Sequence, residues 1–306
     1  MTAIAETNTG TRIVLGKNQY GKAEVRLVKI TRDTDRHEIE DLNVSSQLHG
    51  DFNAAHRDGD NGRVVPTDTQ KNTVYGLARD GVGAVEDFLI RLGSHFVNEF
   101  EWIEGGRWVA ESYKWDRIQN HDHAFSRNKS ETRTAVLELE NGVKHVVAGI
   151  EGLTVLKSTG SEFHGFPVDR FTTLAETSDR ILATDLTARW RYNPEAVEKG
   201  IDFDAVFADV RERLLEKFAN THSLALQQTM FAMGEAVLNA HPEIEEIKMS
   251  LPNKHHFLVD LTPFGQDNPN EVFFAADRPY GLIEATIQRE GTPETTAIWE
   301  NIPGFC

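Results

Sequence analysis

Hydrophobic positions change their period several times along the chain, and each change marks an element. Residues 19–32 alternate, with Val25, Leu27 and Ile30 between charged neighbours, and residues 36–49 alternate through Ile39, Leu42, Val44 and Leu48. Period two is the pattern of half-buried strands, and the break at Asp33-Thr34-Asp35 suits a hairpin. A polar stretch occupies 50–63, and a helix is predicted over 69–80 with Asp68 as its N-cap. In 85–100, Val85, Phe88, Leu89, Leu92, Phe96 and Phe100 share one face at helical spacing. Strands are predicted again over 106–118, 131–140 and 143–150, the last two joined by the hairpin signal Asn141-Gly142.

The second half repeats this order. Residues 151–157 and 180–192 are strand-like, 202–219 carry Phe203, Val206, Phe207, Val210, Leu214 and Phe218 at helical spacing, and 223–240 carry Leu226, Met230, Met233 and Val237. Strands are predicted at 244–251, 254–261 and 279–289. Helices grouped between antiparallel strand pairs define an α+β class with helices on one sheet face. A long open sheet has two edges, and pairing them with a second subunit removes both.

Composition narrows the function. With 306 residues and 39% apolar content, the chain can bury a substantial core. The net charge of −16 sets low expectations for nucleic-acid or membrane-surface binding, so neither partner is expected. The one cysteine, Cys306, excludes an intrachain disulfide and a CxxC metal site. Residues 1–11 read as a small polar arm. No signal-peptide core, membrane-spanning run or Ser-Lys-Leu ending is present, so a cytoplasmic location is expected. His121-Asp122-His123 lacks a third ligand at a recognised spacing, and no metal site is predicted.

Several short polar segments carry candidate chemistry. Lys22 follows Tyr20-Gly21 in the first strand. Thr67-Asp68 opens a helix, where free backbone N–H groups favour an anion. Phe163 lies in Lys157-Ser158-Thr159-Gly160-Ser161-Glu162-Phe163 and offers a flat apolar ring. Arg180 offers a fork for a carbonyl edge bearing negative charge. Gln227 and Gln228 can each donate and accept at once. Asn253-Lys254-His255-His256 places an amide, a cation and two imidazoles where a strand is predicted, and only one of two adjacent histidines can face a given side.

Taken in order, these segments resemble the urate oxidase (uricase) family from about residue 18 onward. The resemblance implies the tunnelling fold (T-fold): two tandem antiparallel ββααββ modules, placed here at 12–148 and 149–306. Two chains close a sixteen-stranded barrel, and two barrels stack as a homotetramer with active sites at subunit interfaces. It implies oxidation of urate by O2 and water to 5-hydroxyisourate and hydrogen peroxide, with no cofactor. Lys22, Thr67 and His255 correspond to a proton relay. Thr67, Asp68, Phe163, Arg180, Leu226, Gln227 and Asn253 correspond to substrate-binding positions, with Leu226 in an apolar contact. Pro66 stands where the family pattern has Ala. The competing readings are a pterin-processing enzyme on the same fold, whose zinc versions need three convergent His or Cys ligands, and a urate-binding module without turnover.

Overall fold

The computed structural model describes residues 13–293, 298–300 and 302; the arm at 1–11 and Cys306 lie outside the described residues. In chain order the elements are β1 (Tyr20–Thr31), β2 (Glu38–Gly50), α1 (Asn53–Asp58), α2 (Thr67–Arg79), α3 (Val85–Glu99), β3 (Ile103–Ser112), β4 (Trp115–Arg117), β5 (Phe125–Arg127), β6 (Thr132–Glu140) and β7 (Val143–Lys157). They continue with β8 (Leu182–Tyr192), α4 (Pro194–Lys199), α5 (Phe203–Asn220), α6 (Leu226–Ala240), β9 (Ile244–Asn253), β10 (His256–Leu258), β11 (Phe273–Ala275) and β12 (Gly281–Gln288).

Eight strands form one antiparallel sheet in the order β1-β2-β3-β6-β7-β8-β9-β12. The alternating residues put Leu42, Val44 and Leu48 of β2 and Ile247, Met249 and Leu251 of β9 into the core. The helices cover that face with their apolar stripes. Phe88, Leu89, Leu92 and Phe96 of α3 are fully buried, each removing enough surface to contribute about 1.5–3 kcal/mol. One buried cluster runs from Val25 to Ile287 through both halves of the chain. The opposite face is more polar, with Arg107 paired to Glu138 at 2.9 Å and Arg191 paired to Glu246 at 2.5 Å. Ile298 and Ile302 cover Val136 and Val147 on that side. Among the described residues no helix is long and apolar enough to cross a membrane.

The structure differs from the pattern reading at several boundaries. The stretches 143–150 and 151–157 are one strand, β7, with a bulge between Ile150 and Leu153 where Gly152 takes φ 75°. Residue 148 lies within that strand. The segment 106–118 divides at Tyr113, because Trp115–Arg117 leaves the sheet to pair with Phe125–Arg127. The predicted strand 254–261 divides as well. β9 ends at Asn253, which pairs with Thr184 near the start of β8; one further bond follows, from the Lys254 N–H to the Ala183 carbonyl at 2.8 Å, and from His256 the chain pairs as β10 with β11 instead. Two short helices escaped the periodicity, α1 inside the polar stretch and α4, whose Pro194 sits in the first turn. The Asn193 side chain caps α4 by accepting the Glu195 and Ala196 N–H groups.

Candidate active site

The first group of candidate residues lies at the β1 edge of the sheet. Gly21 brings β1 very close to β2: a Cβ there would sit 1.7 Å from the Ser46 carbonyl oxygen, so only glycine fits. Pairing then slips between Lys22 and Val25, with Glu24 at φ 56°, a bulge that bends the edge strand at Lys22. Helix α2 begins beside it. Its N-cap is Pro66, not Asp68, and the Pro66 carbonyl accepts the Gln70 N–H at 3.1 Å. Proline suits this position because its fixed φ leads into the helix and it carries no N–H to satisfy. Asp68 falls in the first turn, where its charge complements the helix dipole. The Asp68 carboxylate accepts hydrogen bonds from Lys71 and Asn72. The Lys71 hydrogen bond, with a smaller contribution from the Lys22 charge, holds the Asp68 carboxyl below its usual range. Lys22 is therefore within electrostatic reach of the helix start. Buried Gln70, accepting from Ser46 Oγ at 3.0 Å, ties α2 to β2.

The second group lies near the β12 edge. Phe163 and Thr177 exchange backbone hydrogen bonds of 2.8 and 3.0 Å, and the Phe163 ring stacks on Phe166 with centroids 5.1 Å apart. The Arg180 guanidinium lies over the Phe163 ring at 5.1 Å. Its Nε donates to Ser161 Oγ at 3.2 Å, and its backbone N–H donates to the Ser161 carbonyl at 2.8 Å. Gln227 is exposed in the first turn of α6. Leu226 beside it is 2% exposed, so its side chain belongs to the core and only its first-turn N–H is open to a ligand. Asn253 ends β9, and His255 occupies the kink before β10. Burial, then the Arg180 guanidinium and His256, hold the His255 imidazole below its usual range, which favours a neutral ring.

Hydrogen bonding separates the neighbours that composition cannot. Gln228 accepts the Leu224 N–H at 2.8 Å, while the Gln227 amide has no partner among the described residues. The His256 ring bonds the Lys254 carbonyl at 3.0 Å, while the His255 ring nitrogens have none. Lys254 pairs with Asp185 at 2.5 Å, while the Lys22 ammonium has no ion-pair partner among the described residues. Thr67 Oγ1, the Arg180 terminal nitrogens and the Asn253 amide are likewise without hydrogen-bond partners among the described residues. A polar group at a half-buried position needs a partner. Lys22, Arg180, Asn253 and His255 are half-buried, whereas Thr67 and Gln227 are exposed.

The chain brings these residues together in two sets, not one. Lys22, Thr67 and Asp68 sit at one edge; Phe163, Arg180, Gln227, Asn253 and His255 sit towards the other. β1 and β9 are six strand spacings apart in the sheet order, roughly 30 Å along the sheet. Three buried hydroxyls, Ser161, Ser223 and Thr229, support the second set and were missed by sequence reasoning. Serine and threonine in loops and helix starts are usually solvated caps, so no local pattern marks these as buried. Among the described residues, no three His, Cys, Asp or Glu side chains converge as metal ligands would.

Comparison with known proteins gives one answer. The family model described as Uricase matches residues 18–138 and 146–284. A uricase from Arthrobacter globiformis is 72% identical over 306 residues, covering 100% of both chains. A uricase from Dictyostelium discoideum is 36% identical over 280 residues, covering 89% of this chain and 96% of its own. The crystal structure of the Arthrobacter globiformis uricase superposes with a TM-score of 0.91 over 95% of this chain and 100% of that one. The urate oxidase from Bacillus sp. TB-90 shares the fold at 22% identity, with a TM-score of 0.75 over 89% of this chain and 100% of that one. Fold, full-length identity and family match agree: the chain belongs to the uricase family, has the tunnelling fold, and catalyses the oxidation of urate by O2.

Proposed function

We propose that each active site is assembled from two chains, one giving Lys22, Thr67 and Asp68 and the other giving Phe163, Arg180, Leu226, Gln227, Asn253 and His255. The observation that carries this is the placement of the two candidate sets near opposite edges of one sheet. Joining the β1 edge of one chain to the β12 edge of another closes a barrel and brings the sets face to face. Each ββααββ module then supplies one half of a site, and two such barrels stack as a homotetramer.

Within the assembled site, the Arg180 fork and the Gln227 amide hold the pyrimidine edge of urate. The Leu226 N–H adds a main-chain donor beside them. Phe163 stacks below the ring, with the Arg180 guanidinium 5.1 Å from the phenyl centroid. Thr67 and the Asp68 N–H hold the imidazole side, where an anion also meets the start of α2. The relay runs Lys22–Thr67–His255. It removes a proton from urate, which makes the purine a better electron donor. Urate then gives two electrons to O2 near Asn253, and a water deprotonated by the relay adds to the oxidised ring. Urate, O2 and H2O give 5-hydroxyisourate and H2O2, with atoms and electrons balanced and no further redox group needed.

Subunit complementation tests the two-chain site. Thr67→Ala and Arg180→Gln each impair one half: alone, the first should be nearly inactive and the second nearly inactive at low urate, where its raised KM limits turnover. Co-expressed, they should regain activity, because random mixing leaves about one site in four with both halves intact. No recovery in demonstrably mixed oligomers, or full turnover by a monomeric sample, overturns the proposal.

A further inference from the structure

Three buried hydroxyls lie behind Arg180 and the start of α6. Ser161, Ser223 and Thr229 are all 0% exposed. Thr229 Oγ1 donates to Ser223 Oγ at 2.9 Å, and Ser223 Oγ donates to the Ala225 carbonyl at 3.1 Å. Ser161 and Ser223 form a parallel backbone bridge, with the Glu162 N–H on the Ser223 carbonyl at 2.8 Å and the Ser223 N–H on the Gly160 carbonyl at 2.9 Å. Ser161 in turn holds Arg180 twice, through its carbonyl and its hydroxyl.

These bonds connect three pieces that are distant in sequence. The Gly160–Phe163 segment carries the stacking ring, Arg180 precedes β8, and the Ser223–Ala225 turn leads into α6, whose first turn carries Gln227. A buried hydroxyl needs a hydrogen bond and contributes little net stability; a small apolar residue fills the same space without that demand. What hydroxyls add is direction. Ser161 takes the Nε of Arg180, so the side-on face of the guanidinium is occupied and only the end-on fork of two terminal nitrogens remains for a ligand.

We propose that Ser161, with Ser223 and Thr229 behind it, is a positioning device that presents the Arg180 fork end-on and sets its distance to Gln227, so that both meet one edge of the urate ring. This rests on the assignment of Arg180 and Gln227 to substrate binding. The trio contacts neither substrate nor oxygen, so it acts on binding and leaves the relay alone.

The test is steady-state kinetics of urate oxidation on the assembled enzyme. Ser161→Ala should raise KM about tenfold, the worth of one hydrogen bond to a charged group, with kcat within about twofold. Thr229→Val keeps the volume and should move KM the same way by less, and Thr229→Ser should restore it. In an Arg180→Gln background, Ser161→Ala should add nothing further. The outcomes separate the two claims. If Arg180→Gln raises KM while Ser161→Ala and Thr229→Val do not, the positioning role is overturned and the binding role stands. If Ser161→Ala acts equally in both backgrounds, its effect does not pass through Arg180 and the proposal is overturned. If Arg180→Gln leaves KM unchanged, the binding assignment itself fails and takes the proposal with it. Thermal unfolding of each variant keeps a folding defect distinct from a KM effect.

Discussion

The two halves of the site are held in different ways. Around Arg180, groups interlock: backbone pairing at Phe163, a phenyl stack with Phe166, two bonds to Ser161, and the Lys254–Asp185 pair beside His255. Around Thr67, the chain is open: Thr67 and Asp68 are exposed at a helix start, and Lys22 follows directly on a close strand contact and precedes a bulge. The gripping half is organised within one chain before any partner arrives. In the proposed two-chain site, the relay half would meet its third member, His255, only across a subunit boundary. Binding and proton transfer are thus supported by separate structures, and substitutions should separate them.

The largest separation is expected at Lys22. Lys22→Met keeps the length of the side chain and removes its proton. If Lys22 serves general acid–base chemistry, kcat should fall about 10²–10⁴-fold while KM moves by no more than about threefold. A KM increase as large as the fall in kcat would make Lys22 a binding residue and break the contrast with Arg180.

The helices behind the two halves differ as well, and two glycines expose this. A Cβ at Gly234 in α6 would lie 2.9 Å from the Ile287 side chain of β12, so the gripping half is backed by a full interface. A Cβ at Gly76 in α2 would meet nothing within 4 Å. Gly234→Ala should therefore destabilise the fold by about 1–3 kcal/mol through overpacking. Gly76→Ala should stabilise it by about 0.5–1 kcal/mol, since alanine is the better helix former. Denaturant unfolding of the two variants reads both signs. Equal signs would mean that the two helices are packed alike.

Much of this was legible in the sequence. The alternating stretches and helical stripes located the long strands and the helices, because burial of one face is a local, periodic demand. The family resemblance picked Gln227 over Gln228 and His255 over His256; in the structure Gln228 and His256 are the members of each pair with local hydrogen bonds. Features set by distant partners were hidden. Asp68 has the chemistry of an N-cap, yet Pro66 takes that place because its φ already suits the helix entry. The strand predicted through His255 stops at Asn253, and from His256 the chain pairs with Phe273–Ala275, a partner distant in sequence. Leu226 looked like a side-chain contact, but the packing of α6 buries it. Ser161 lay within a noted segment, and nothing local indicated that its hydroxyl would meet Arg180.

The smallest expected effect concerns how the gripping half reaches into the relay. Burial comes first among the causes that depress His255, followed by the Arg180 guanidinium and then His256. His256 contributes through its charged form, since like charges disfavour a second imidazolium. Replacing it by Asn keeps a donor for the Lys254 carbonyl, which the ring now bonds at 3.0 Å, and removes the charge. The His255 pKa should then move up towards its ordinary value. If His255 takes a proton in the proposed relay, it must be neutral, so activity is present above that pKa and lost as pH falls through it. The acid limb of the kcat profile should accordingly shift to higher pH in His256→Asn, with the plateau unchanged. An unmoved limb would mean that His255 does not carry the titrating proton. A shift to lower pH would reverse the sign of the coupling and place His256 on the stabilising side of the imidazolium.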